Sequence, residues 1–282
     1  MWPAEWGSRE QAAGKTPCYR EKASRRGVVA ATCGGVGCRM ETSSTNCADG
    51  DARATHAEAW PAEIARMLAG YGLILRGGFD FAEDEHAPPA PSGAPSKSVL
   101  LVGQAGAAPW PHFLAWRETQ PADLADPLDT WARQVIGAVA ERFGARAVSP
   151  SDKPYLPFQQ WAMRAERLKP SPLGILMHPE YGLWHAYRGA LLFDVALDFP
   201  QTEEPIHLCD ACIGKPCMNA CPVGAHSGDG FDYAGCRAHV RAPQGVLCME
   251  RGCLDRNACP YGVAYRYPEN VQTFHMRAFA SR

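Results

Sequence analysis

The apolar positions of residues 127–143 recur every three or four residues and predict an amphipathic helix. Pro127 suits the first helical position, Asp126 is a candidate cap, and Gly144 can close the helix. A second stripe of the same period predicts a helix over about 158–168, which ends before a proline. Each helix therefore has one face suited to packing against a core.

Short apolar runs bounded by glycine or polar residues predict buried strands at residues 73–75, 99–102 and 189–195. Residues 86–97 are rich in proline, which lacks a backbone N–H and fixes φ, so this segment is predicted to be a loop. Together these elements predict an α+β fold, in which a mixed α/β amino-terminal domain is followed by a loop-rich module.

The chain divides by composition into three parts. Residues 1–66 have no sustained helix or strand period and are predicted to be a poorly ordered extension, which lies outside the native product if that product begins at Met67. Residues 67–205 are predicted to form the α+β domain, a candidate for binding a cofactor or a partner. Residues 206–282 are predicted to form the loop-rich module. Four cysteines of the first part match no metal-binding spacing and are expected to be incidental thiols rather than a small metal site. They are Cys18, Cys33, Cys38 and Cys47.

The composition is typical of a folded protein with little net charge. Apolar residues make up 46% of the 282 positions and the formal net charge is -2, so nothing indicates binding to nucleic acid or to an anionic membrane. No run reaches the ~20 apolar residues needed to cross a bilayer, and the charged amino end is unlike a signal peptide. We therefore expect a cytoplasmic protein, in which clustered cysteines more often bind metal than form disulfides.

Residues 178–185 have the sequence HPEYGLWH and form a turn dense in aromatic and polar side chains, with Arg188 just after it. Aromatic faces and polar groups of this kind can line a pocket for a flat cofactor. The alternative is that the aromatic residues pack between two domains. The sequence leaves both interpretations open.

The strongest chemical signal is a set of eight cysteines within residues 209–259. The first four have the spacing C-x2-C-x4-C-x3-C-P, close to the C-x2-C-x2-C-x3-C-P run of bacterial ferredoxins. Residues 213–216 fill the longer gap, and their glycine and proline suit a small bulge. Both sets of four end in Cys-Pro-x-Gly. The eight candidate ligands are Cys209, Cys212, Cys217, Cys221, Cys236, Cys248, Cys253 and Cys259.

The ferredoxin pattern also predicts how these cysteines are shared. In two-cluster ferredoxins the fourth cysteine of a run binds the other cluster. By the same rule, Cys259 completes the site of the first three cysteines, and Cys221 completes the site of the later three. The sequence thus predicts two [4Fe–4S] clusters held crosswise, and residues 206–282 are predicted to form a ferredoxin-like module that holds them.

Zinc is the alternative metal for these cysteines, as two sites of four thiolates each. Zinc sites usually join two separate C-x2-C pairs, whereas this chain has one such pair and two Cys-Pro endings. Four histidines near the cysteines are expected to be packing or surface residues, because eight thiols already complete two clusters. They are His207, His226, His239 and His275.

Four segments carry a resemblance to a known family: PSPLGILMHPEYGLWHAYRGALLF, CDACIGKPCMNACPVGA, AGCRAHV and NACPYG. Over roughly residues 171–262 the chain resembles the epoxyqueuosine reductases and, more distantly, the reductive dehalogenases. The resemblance implies two [4Fe–4S] clusters that feed electrons to a cobalamin held by an α+β domain. It gives the eight cysteines the same ligand roles, with Cys236 as the lone cysteine. The last run departs from the family, since its gaps are expanded to x4 and x5 before Cys253 and Cys259.

We therefore expect an iron–sulfur protein whose two [4Fe–4S] clusters relay single electrons to or from a redox partner protein. A cobalamin-dependent reductase related to the epoxyqueuosine reductases is the alternative, and a structural zinc protein is the second alternative. The sequence identifies no catalytic residue and leaves open whether the chain is an enzyme. Neither a membrane nor a nucleic acid is expected as a partner.

Overall fold

The computed structural model describes residues 59–199, 203–228 and 230–281, all of which belong to one unit, Asn46–Arg282. The expectations for residues 1–58, including their four cysteines, lie outside the described residues. The helices and strands form an α+β fold, as the sequence predicts. In chain order they are α1 (Trp60–Ala69), β1 (Ile74–Asp80), β2 (Ser98–Ala105), α2 (Trp110–Arg117), α3 (Pro127–Phe143), β3 (Arg146–Val148), α4 (Phe158–Glu166), β4 (Lys169–Pro170), β5 (Leu176–Met177), β6 (His185–Phe193), β7 (His226–Ser227), β8 (Gly230–Phe231), α5 (Tyr233–Arg241), α6 (Val246–Arg251), α7 (Leu254–Ala258) and α8 (Glu269–Ser281).

Helix α1 corrects the expected boundary at residue 66. It has Pro61 in its first turn and completely buries the side chains of Ile64 and Leu68 in the main core. The folded region therefore begins before Met67. The sequence pattern missed this helix because it is short and its apolar face only becomes evident against the rest of the core.

A four-stranded antiparallel sheet, in the order β1-β2-β6-β3, lies at the centre of the fold. In β2, Leu100 and Val102 pack on one side of the sheet, and Val99 and Leu101 pack on the other. Burial of both faces explains the continuous apolar run that predicts this strand. Strand β6 begins earlier than predicted, at His185, because its polar first residues continue to pair with β2.

The helices cover both faces of the sheet. Helices α1 and α3 pack on one face and α4 packs on the other. Helix α3 has the predicted bounds, and Gly144 closes it with φ of 60°. Asp126 makes no side-chain cap hydrogen bond to this helix, and its own φ is 43°, in the left-handed region. Helix α4 ends earlier than predicted, at Glu166, since Arg167 adopts the left-handed conformation.

The cysteine-rich module consists of short elements joined by turns. Helices α5, α6 and α7 are all shorter than ten residues, and α8 closes the module against α6. Two short antiparallel strands, β7 and β8, precede α5. Across the described ranges, no helix is long and apolar enough to span a membrane.

Candidate metal centres and a cavity

Four of the eight cysteines lie close enough together to affect one another's ionisation. The pKa of Cys209 is raised to about 11, first by burial and then by three neighbouring thiols. Cys209, Cys217 and Cys259 also pack in one apolar cluster around Leu183. We call these four the first thiol group: Cys209, Cys212, Cys217 and Cys259.

The other four cysteines form a second set of neighbours. The pKa of Cys236 is raised to about 11, again first by burial and then by three thiols. Cys236 packs against the buried Cys248 and Val240. We call these four the second thiol group: Cys221, Cys236, Cys248 and Cys253.

The two groups cut across the two runs of the sequence. Cys221 ends the first run but lies in the second group, and Cys259 ends the second run but lies in the first group. All eight thiols are free of disulfide bonds. Among the described residues, no three or more His, Cys, Asp or Glu side chains converge as a ready single-ion site. The thiols of each group are therefore neighbours, but they do not converge as closely as the ligands of a single bound ion.

Local backbone geometry explains how short segments bring these thiols together. Gly214 and Lys215 both have positive φ, 72° and 37°, and turn the chain into the short 3-10 helix that carries Cys217. The longer gap in the first run is therefore a bulge, as its glycine and proline suggest. In the second run, Cys253 and Cys259 flank α7, so one short helix supplies a thiol to each group.

A buried carboxylate lies between the two groups. Asp255, on α7, is 1% exposed and accepts a hydrogen bond from the N–H of Ala220 at 3.0 Å. Its other oxygen lies 2.8 Å from Nδ1 of His226. After burial and the nearer thiols, its charge helps to raise the pKa of Cys217 in the first group and of Cys248 in the second. The sequence gives no signal for this carboxylate beyond its place between two cysteines.

The turn that contains HPEYGLWH crosses the turn that follows Cys259. Gly182 and Gly262 both have positive φ, 57° and 67°, and their backbones touch. A Cβ on Gly182 would lie 2.3 Å from the carbonyl oxygen of Tyr261, and one on Gly262 would lie 2.2 Å from that of Tyr181. Only glycine at both positions allows this close approach.

The aromatic residues of the same turn pack between the sheet and the cysteine module. Trp184 is fully buried, with its ring 5.4 Å from that of Tyr267. The guanidinium of Arg256, on α7, lies 4.4 Å above the Trp184 ring. His178 stacks on Tyr181 at 4.0 Å. Of the two interpretations of this turn, packing between two parts of the fold is the one that the structure shows.

A buried ionic network lies under this turn. Arg76 is 1% exposed and forms two hydrogen bonds of 2.8 Å to the carboxylate of Glu166. Its other terminal nitrogen donates to Nδ1 of His185 at 3.2 Å, while Nε2 of His185 donates to the carbonyl oxygen of Leu176 at 2.9 Å. Tyr187 bonds to the same carboxylate. The network joins β1, α4 and β6, and no sequence motif indicates it.

A cavity of about 930 Å³ lies at the edge of the sheet. Strand β3 pairs with β6 only at residues 190–192, so the earlier part of β6 is an open edge that faces this cavity. The other walls come from the start of α3, the start of α5 and the length of α8. The lining includes Asp129, Tyr155, Arg188, Tyr233, Phe274 and His275. Among the polar and aromatic residues at this turn that the sequence marks as possible contacts for a cofactor, Arg188 lines the cavity.

Three of the four histidines near the cysteines, His226, His239 and His275, have different surroundings. His226 contacts Asp255, and His275 lies 5.7 Å from the ring of Tyr267 and lines the cavity. Nε2 of His239 is buried without a hydrogen-bond partner among the described residues. His226 and His275 therefore both contact neighbouring side chains of the fold.

No protein-family model matches the chain, and no curated protein matches its sequence. The solved structures to which this chain is similar include the C. elegans B12-trafficking protein CblC, a homologue of human MMACHC, at 16% identity and a TM-score of 0.49. The match covers 81% of this chain and 94% of that one. An epoxyqueuosine reductase has 11% identity and a TM-score of 0.47, covering 77% and 69%. The epoxyqueuosine reductase of Streptococcus thermophilus has 14% identity and a TM-score of 0.44, covering 73% and 67%.

Proposed function

We propose that this chain is an iron–sulfur protein that holds two [4Fe–4S] clusters and relays single electrons between a redox partner protein and an acceptor. The observation that carries the proposal is the crosswise grouping of the eight free thiols. Ferredoxin-type chains with two clusters share their ligands in this way. In this proposal the first thiol group binds one cluster and the second thiol group binds the other.

The chemistry of the donor set supports iron–sulfur binding. Each group offers four thiols, and soft thiolate ligands select iron–sulfur clusters or zinc. Burial and neighbouring thiols raise the pKa of Cys209 and Cys236 to about 11. Without metal these thiols keep their protons at neutral pH, so metal binding must release protons and be coupled to folding of the module. When bound, the clusters would supply the one-electron carriers.

One backbone N–H and one carboxylate of the chain would adjust the electron affinity of clusters bound at these sites. The N–H of Ala225 donates to the sulfur of Cys221 at 3.4 Å, and a hydrogen bond to a ligand sulfur stabilises the more negative, reduced state. The carboxylate of Asp255 is buried near thiols of both groups and has the opposite effect, because negative charge disfavours reduction.

Metal and sulfide analysis of the full chain, reconstituted without oxygen, tests the proposal. Two [4Fe–4S] clusters predict about eight irons and about eight acid-labile sulfides per chain, with the broad visible absorbance of such centres. Zinc bound without sulfide would instead support the structural zinc protein and contradict the proposal.

A single substitution tests the ligand assignment. We expect Cys212→Ser to lose about half of the iron and to destabilise the cysteine-rich module, because metal binding and folding are coupled. Cys38→Ser is the matched control, since Cys38 belongs to the amino-terminal cysteines that match no metal-binding spacing, and it should leave the iron content unchanged. Equal iron in the wild type and in Cys212→Ser would contradict the assignment.

A second candidate function is that of a reductase, and the cavity favours it. Its volume of about 930 Å³ is at the upper end for small-molecule sites. Tyr233, which lines it, belongs to the same helix as Cys236 of the second thiol group. Cobalamin, which the sequence resemblance implies, is the cofactor to add to the reconstituted protein. A shift in the cobalamin spectrum would support this function, and an unchanged spectrum would favour the electron relay alone.

A further inference from the structure

The inner wall of the cavity carries an arginine that its protein neighbours leave partly unpaired. Nε of Arg188 donates to Oε1 of Gln104 at 2.7 Å. Among the described residues, neither terminal nitrogen of Arg188 has a hydrogen-bond or ion-pair partner. Because a guanidinium offers five N–H donors, most of the donors of this side chain remain available to a molecule in the cavity.

The guanidinium is also held in position. The amide nitrogen of Gln104 donates to the carbonyl oxygen of Gly106 at 2.7 Å and lies 3.4 Å from the hydroxyl of Tyr267. Gln104 is itself 3% exposed, so it cannot turn away into solvent. A group fixed before the ligand arrives loses little conformational entropy on binding.

The charges around Arg188 are mixed. Burial lowers the pKa of Arg188, Tyr267 and Asp129 act to raise it, and Arg256 acts to lower it. A guanidinium keeps its positive charge in proteins. His275 lines the same wall, and burial together with Arg188 lowers its pKa to about 4, so its ring is neutral at pH 7. Asp129 lies in the first turn of α3, where the helix dipole partly offsets its charge.

The rest of the lining mixes aromatic residues with small and polar ones, and it includes the charged residues Asp126 and Arg277. Phe274 and Phe279 come from α8, Tyr233 from α5, and Tyr155 from the loop after β3. Tyr155 is 70% exposed and Tyr233 is 46% exposed, so their rings are accessible. Aromatic side chains of this kind suit a flat ring system, and a fixed cation in the same cavity can orient it.

From this arrangement we propose that the cavity binds a small aromatic molecule that bears a carboxylate or a phosphate, and that the terminal nitrogens of Arg188 hold that anionic group. Paired N–H groups of arginine match both oxyanions in a forked geometry. The proposal concerns the cavity alone and holds whichever metal the thiol groups bind.

Isothermal titration of the full-length, metal-loaded protein under anaerobic conditions tests it. The probes are 2-naphthoate and 2-naphthyl phosphate, with 2-naphthol as the uncharged analogue and inorganic phosphate as the anion without a ring. We expect one saturable site per chain for one or both aromatic anions, and weaker binding of 2-naphthol and of phosphate. If 2-naphthoate binds more tightly than 2-naphthyl phosphate, the site prefers a carboxylate; the reverse order indicates a phosphate.

Substitutions then assign the anion to Arg188. We expect R188Q to weaken binding of the aromatic anion by at least about tenfold, because charge-assisted hydrogen bonds are lost. R188K keeps the charge without the fork and should bind with intermediate affinity. R142Q is the matched control, since Arg142 lies on α3 with its side chain 64% exposed and does not line the cavity.

Three results would overturn the proposal: no binding of either aromatic anion, equal affinity for 2-naphthol, or unchanged affinity in R188Q. Circular dichroism and metal content of each variant establish that it is folded. If R188Q does not fold, the comparison of R188K with the wild type and of the anions with 2-naphthol still decides the question. A wild-type protein that takes up no iron and sulfide but still binds the aromatic anion would contradict the proposed function and leave this inference intact.

Discussion

At the scale of single residues, the network around Arg76 shows how this fold keeps charges inside. Arg76 and Glu166 satisfy each other with two hydrogen bonds, and His185 fills the remaining side of the guanidinium. Burial and the charge of Arg76 lower the pKa of His185 to about 3, from an ordinary value of 6.5. His185 is therefore neutral in the folded protein and serves as an acceptor for Arg76.

This pKa predicts how stability depends on pH. The folded state holds His185 neutral while the unfolded chain takes up a proton below pH 6.5, so its contribution is complete above that pH and is lost as the pH falls towards 3. At pH 5 the loss is about 2 kcal/mol. We therefore expect the difference in thermal midpoint between the wild type and His185→Gln to be smaller at pH 5 than at pH 7.

The exposed His86 provides the control for this comparison. His86→Gln should match the wild type at both pH values, because an exposed histidine has no buried contacts to lose. A gap between the wild type and His185→Gln that is the same at pH 5 and pH 7 would show that His185 does not titrate in this way.

At the scale of elements, two Cys-Pro-x-Gly turns with the same sequence pattern have different surroundings. Gly262 closes the turn after Cys259 and touches the backbone of Tyr181. Gly224 closes the turn after Cys221 with a similar φ of 61°, and an added Cβ there would meet nothing within 4 Å. The sequence shows that the turns are alike, but the crossing with the HPEYGLWH turn becomes evident only when distant segments meet.

This difference predicts unequal effects of the same substitution. Gly224→Ala incurs only the cost of a left-handed backbone, about 1 kcal/mol. Gly262→Ala adds a clash with the backbone of Tyr181, so its loss of stability should exceed that of Gly224→Ala. We expect it to lower both the thermal midpoint and the metal content. Equal midpoints for the two variants would mean that the crossing of the turns contributes nothing to stability.

At the scale of the whole molecule, the α+β part and the cysteine-rich module are in direct contact with each other. Arg256 donates to the carbonyl oxygen of Leu183 at 2.6 Å and covers Trp184, while α8 returns to line the cavity beside β6. The cavity therefore has walls from both parts. Neither part would form it alone.

The start of the fold can be tested by truncation. Removal of residues 1–58 should leave the metal content unchanged, because the eight cysteines of the module already complete two sites. Removal of residues 1–69 also deletes α1, with the buried Ile64 and Leu68, and should lower the thermal midpoint by several degrees. A fall in iron on removal of residues 1–58 would show that the amino-terminal cysteines are ligands. Equal midpoints for both truncations would contradict the role of α1.

The sequence by itself determined the features that depend on neighbouring residues. The period of α3, the apolar run of β2 and the bulge before Cys217 all follow from local pattern, and the structure confirms them. The identity of the metal remains a prediction from the cysteine spacing. These features are readable because a period, a short spacing or a positive φ is set within a few residues.

The tertiary structure decided what depends on the meeting of distant segments. The ionic network joins residues 76, 166 and 185, the crossing joins Gly182 to Gly262, and the cavity needs β6 and α8 side by side. A sequence cannot show such groups, because their energies arise from burial and from partners far along the chain rather than from local preference.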